Sequence, residues 1–120
     1  QPVYQVVVNP ANPTASLSRA ELARLFLKKA ATWPSGADVA VLDQERVSPV
    51  RQAFSRDVHQ KSVDTIVAYW QTAVFSGRDV PPAIAKSDAE VLAFVRASPG
   101  AVGYVSAEAD LTGVKVLAVK

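Results

Sequence analysis

Val39-Ala40-Val41-Leu42-Asp43-Gln44-Glu45-Arg46-Val47-Ser48-Pro49-Val50-Arg51 is the stretch from which the fold can be read. Val39 to Leu42 is a short apolar run with the length of a buried strand. Asp43 to Val47 reads as a polar loop. Ser48-Pro49 then opens a helix. Serine is a favoured N-cap, and proline at the first helical position gives up an amide that has no intrahelical partner there. Val50, Phe54 and Val58 follow on one face. A strand that runs through a loop into a helix is the repeating unit of α/β architecture.

The same alternation extends in both directions. Upstream, Val3 to Val8 is a β-branched run closed by Asn9-Pro10. Loop formers fill 11–16, and Ser18 with Glu21 makes a capping box before Leu22, Leu25 and Phe26. Lys28 and Lys29 suit the negative end of that helix. Trp33 sits in a Pro34/Gly36 turn, where it is expected to cap the first helix. Downstream, Ser62 caps a longer helix with a stripe of Val63, Ile66, Val67, Trp70 and Val74, and Tyr69 and Phe75 at its edges. Pro81-Pro82 lies in a loop, and Ser87 caps a helix holding Val91, Leu92 and Val95. Val102 to Val105 and Val114 to Val119 read as strands, with Gly103 marking a close backbone approach. The expectation is one three-layer α/β domain over 1–120, with a mixed sheet of about four or five strands covered on both faces.

Composition narrows the chemistry. With 120 residues, 49% hydrophobic and 20% charged, the chain has material for one core. Thirteen cations against 11 anions give a net charge of only +2, spread along the chain. Nucleic-acid binders cluster their cations, so nucleic acid is not an expected partner. There is no cysteine, which excludes disulfides, thiolate metal sites and a cysteine nucleophile. No apolar run approaches the ~20 residues of a membrane span. The chain starts at Gln1, as a mature exported protein does after signal-peptide removal, and as a trimmed chain also does.

Enzyme chemistry finds little support. His59 is the one histidine, late in a predicted helix, and reads as a helix-end cation or a surface group. No G-x-S-x-G elbow, dinucleotide fingerprint or phosphate loop occurs. No metal-ligand spacing occurs either, so no catalytic residue and no cofactor is expected. What remains is the Ser48 helix start. Its free amides and partial positive charge suit an anion. The Ser48 hydroxyl, Arg51 in the first turn and Arg46 before it could add donors. On local pattern alone, a plain cap with solvated arginines accounts for the same residues.

Several segments together resemble a known family. Leu17-Ser18-Arg19-Ala20-Glu21-Leu22-Ala23-Arg24-Leu25-Phe26-Leu27-Lys28-Lys29, then Thr32-Trp33-Pro34-Ser35-Gly36, resembles the "ISREEL..IFLGK...W..G" segment of phosphate-type periplasmic substrate-binding proteins. Ser48 with Phe54 resembles that family's "SGT....F" helix start, and Val95 to Val105, with Pro99-Gly100-Ala101-Val102-Gly103-Tyr104-Val105, resembles its "V...PGAIGYV". The resemblance implies a single lobe of a periplasmic-binding-protein-like fold, export to the periplasm, and binding of phosphate or sulfate for ABC-type uptake or sensing. It also implies partners, which could be a second lobe, a second copy of the chain or an ABC permease. Where the family has Gly-Thr after the serine, this chain has Pro49-Val50, and Gln44 stands where the family has arginine.

Ligands of open α/β sheets bind at the carboxyl ends of strands. The site expected on that rule comprises Gln44, Arg46, Ser48, Val50 and Arg51 after the second strand, joined by Asn9, Thr14 and Ser16 after the first. The alternative is a protein-interaction module that kept the fold and lost the anion. Its docking surface would be lined by the loops after Asn9 and Leu42.

Overall fold

The computed structural model describes residues 4–120. Val3, the expected start of the first strand, lies outside the described residues. The strands are β1 (Tyr4–Val8), β2 (Ser16–Leu17), β3 (Ala40–Gln44), β4 (Ala83–Ala85), β5 (Ala101–Ser106) and β6 (Lys115–Val119). The helices are α1 (Arg19–Phe26), α2 (Pro49–Phe54), α3 (Val63–Phe75) and α4 (Asp88–Ala97). A π-helical turn, Ser55–His59, continues α2.

The six strands form one sheet in the order β2-β6-β1-β5-β3-β4. Two of them, β2 and β4, are additions to the expected strands. Both are too short to carry a local signal. Ala83-Ile84-Ala85 becomes a strand because Leu42, Asp43 and Gln44 lie beside it in parallel register. The same pairing draws Asp43 and Gln44 into β3, although polar residues after Leu42 read as loop.

Strand direction corrects the expected site. β1 pairs antiparallel with both β5 and β6, whereas β3 runs parallel to β5. The segment after β1 therefore leaves the sheet at the end opposite to the segment after β3. Asn9, Thr14 and Ser16 do not meet Gln44, Ser48 and Arg51. A docking surface lined by both loops is excluded by the same reversal.

Alternation along β1 feeds two cores, as a strand covered on both faces requires. Tyr4, Val6 and Val8 pack with Leu22, Phe26, Phe54 and Tyr104 under α1 and α2. Val7 packs with Val91, Val95 and Val105 under α4. Each such side chain, fully buried, contributes roughly 1.5–3 kcal/mol. Gly103 lets α4 lie close to β5, since a Cβ there would come within 2.5 Å of Val91 Cγ1.

Serines cap the four described α-helices, at Ser18, Ser48, Ser62 and Ser87. The regular helix after Ser48 is shorter than its periodicity suggested. At Ser55 the backbone widens into the π turn, and the Ser55 side chain and carbonyl both bond to Lys61. Trp33 is not a helix cap. It is buried, with its indole N–H donating to the Gly100 carbonyl.

Along α3, Val63, Ile66, Trp70 and Ala73 face inward. Ile66, Trp70 and Ala73 form a small separate cluster with Leu27 and Tyr69. Val74 and Phe75 do not close the stripe: they are 50% and 95% exposed.

Candidate functional site at the end of strand β3

Gln44 ends β3 and Ser48 caps α2, so one short loop holds both. The Ser48 hydroxyl donates to Gln44 Oε1 at 3.1 Å and accepts the Arg51 amide at 3.3 Å. The Gln44 side-chain amide donates to the Tyr104 carbonyl at 2.8 Å and to Asp88 Oδ1 at 3.0 Å. The Ser106 hydroxyl donates to Asp88 Oδ2 at 2.7 Å. A polar chain thus runs from the start of α2, across the ends of β3 and β5, to the start of α4. Sequence reasoning missed Asp88 and Ser106, which become neighbours of Gln44 only through strand order.

Pro49 has no amide N–H, and the Gln52 N–H donates to the Ser48 carbonyl. With the Arg51 amide held by the Ser48 hydroxyl, Val50 is the first-turn residue whose N–H has no partner among the described residues. The Val50 side chain is half-buried against the core.

The arginines do not converge on this amide. Arg51 turns inward: its Nη1 donates to the Gln44 carbonyl at 3.0 Å, and its Nη2 lies 3.8 Å from Asp43 Oδ2. Arg46 pairs with Asp64 at 2.7 Å on the surface. Of the other expected residues, Asn9 donates to the carbonyls of Val95 and Arg96 at the far end of α4. Thr14 bonds through its amide to Asn12. Ser16 lies beside Ala118 on the outer strand β2.

Asp43 is nearly encased. Burial raises its pKa above the ordinary carboxylate value, while Arg51 and a 2.6 Å hydrogen bond from the Tyr104 hydroxyl act in the opposite direction. That hydroxyl also accepts the Gln44 amide at 3.1 Å, and burial and Asp43 push its own pKa up. His59 is not the expected helix-end cation. Burial first, then Arg51 and Lys61, lower its pKa from 6.5 to about 4, so it is neutral near pH 7. Among the described residues, no group of three or more His, Asp or Glu could hold a metal. No described helix is long and apolar enough to cross a membrane.

The sequence matches no family model and no curated protein. The fold has clear relatives among solved structures. One, assigned as a phosphate ABC transporter substrate-binding protein with bound phosphate, from Clostridium perfringens, superposes with a TM-score of 0.76 at 19% identity over 98% of this chain and 44% of that one. An ABC-type phosphate transport receptor from Vibrio cholerae gives 0.77 at 21% identity, over 98% and 46%. PstS from Borrelia burgdorferi gives 0.67 at 12% identity, over 98% and 47%. The chain spans under half the length of each. Its fold is therefore that of one part, a little under half, of a phosphate-type periplasmic substrate-binding protein.

Proposed function

We propose that this domain binds phosphate or a related oxyanion, as an exported, non-enzymatic solute-binding domain linked to ABC-type uptake or sensing. The observation that carries this reading is the Ser48–Gln44 cluster at the end of β3, beside a Val50 amide with no partner among the described residues. It belongs to a fold shared with a structure that holds phosphate.

The available donors set the strength. An anion could take the Val50 N–H and the Ser48 O–H, the latter released from Gln44. Each charge-assisted hydrogen bond contributes about 1.5–3 kcal/mol and the helix start roughly 1. Association itself costs several kcal/mol. Arg51 is committed inward, Arg46 is paired on the surface, and the Asp88 carboxylate opposes an anion nearby. The sum corresponds to millimolar affinity at best. Tighter capture calls for donors from a second lobe or another protein, a permease among them.

Isothermal titration with phosphate and with sulfate at low salt tests this. The expected result is weak binding that Ser48→Ala reduces about tenfold, equivalent to about 1.4 kcal/mol. No heat at millimolar anion, or heat unchanged in Ser48→Ala, would overturn the assignment.

A further inference from the structure

Arg51 also lines a groove of about 460 Å³ between α3 and the β3–β4 edge. Its size falls in the range of small-molecule sites, roughly 300–1,000 Å³. Val67, Trp70, Val74 and Ile84 supply apolar walls. Two charged residues also line it, Asp43 and Arg51, and their side chains are only 6% and 7% exposed. Ser48, Pro49 and Val50 do not line it.

The polar groups of this groove are incompletely matched. A guanidinium has five N–H donors. Among the described residues, that of Arg51 makes one hydrogen bond, to the Gln44 carbonyl. Its Nη2 stands 3.8 Å from Asp43 Oδ2, beyond hydrogen-bond reach. The Trp70 indole N–H is buried with no acceptor among the described residues. The remaining Arg51 donors are not sealed off, so a ligand acceptor in the groove can take them in place of water.

Charge balance selects the ligand. Asp43 and Arg51 already offset one another, so a third full charge in the groove would be left uncompensated. A neutral amide carries both missing partners: its carbonyl accepts from Arg51 and its N–H donates to Asp43. The walls call for a branched or aromatic body.

We propose that this groove is a second binding site, separate from the anion site, for an apolar molecule bearing one neutral amide. The Asp43–Arg51 pair reads the amide, and the walls of α3 and β4 take the apolar body.

The test uses 4-methylvaleramide, which bears a single amide, as the probe and the Trp70 indole resonance in a 15N-correlated spectrum as the readout. Trp33, buried elsewhere, is the internal control. The probe should shift Trp70 saturably at millimolar concentration and leave Trp33 in place. 4-Methylvalerate and isoamylamine, which carry a similar apolar body on a negative or positive charge, should bind at least about fivefold more weakly. Val74→Glu, at a half-exposed wall position that the fold tolerates, should weaken the probe by about tenfold. Millimolar phosphate should not displace it. An unmoved Trp70, an equal response in Val74→Glu, tighter binding of either charged analogue, or displacement by phosphate would each overturn the proposal.

Discussion

The hydroxyl of Tyr104 donates to the Asp43 carboxylate across 2.6 Å, and both side chains are buried. The Tyr104 ring lies flat on Phe54, with centroids 4.0 Å apart. The residue therefore ties the apolar core to the polar end of β3. Tyr104→Phe keeps the stack but removes a donor from Asp43 and an acceptor from the Gln44 amide. Leaving buried polar groups unmatched should cost about 2–3 kcal/mol, read as a lower urea midpoint with an unchanged slope.

His59 makes stability depend on pH. Its pKa is depressed from 6.5 to about 4 in the folded protein. The unfolded chain thus takes up a proton first as pH falls. The contribution to stability is complete above pH 6.5 and is lost between there and about pH 4. Its size is on the order of 3 kcal/mol. Urea unfolding at a series of pH values should show this decline, and His59→Gln should flatten it.

Gly103 is held by close approach. The Cβ of Gly103→Ala would press on Val91. Overpacking of this kind should cost about 1–3 kcal/mol. Val91→Ala opens room at the same point, so the double variant should lose less than the two single losses added together. A double-mutant cycle by thermal unfolding measures this coupling.

Helix α3 should be the least protected of the four helices. Its buried side chains form a small cluster apart from the two main cores. Native-state hydrogen exchange should show α3 amides opening at lower free energy than those of α1, α2 and α4. Equal protection throughout would mean that α3 opens only with the whole domain.

Local chemistry made much of the fold readable in the sequence. Ser18, Ser48, Ser62 and Ser87 announce their helices because an N-cap bond spans only three residues. Val6, Val7 and Val8 announce a strand covered on both faces. What the sequence concealed was tertiary in origin. Ala83–Ala85 is a strand only because β3 lies beside it. The reversed direction of β1, which separates Asn9 from Gln44, appears in no local pattern. The same is true of the site. Ser48 and Gln44 are neighbours along the chain and could be paired in advance. Asp88 and Ser106 reach Gln44 only through sheet order. Arg51 looked like an anion donor by spacing, yet a residue's spacing does not say which way a long side chain turns.

The position of β6 has a consequence for how the chain acquires its shape. Lys115–Val119 lies between β1 and β2, so these two early segments are joined only by a late one. During synthesis, nothing bridges Tyr4–Val8 to Ser16–Leu17 until residue 119 has emerged. Pairings of such long sequence separation form slowly. These early segments should therefore stay unjoined, and open to a chaperone, until Lys115–Val119 has been made.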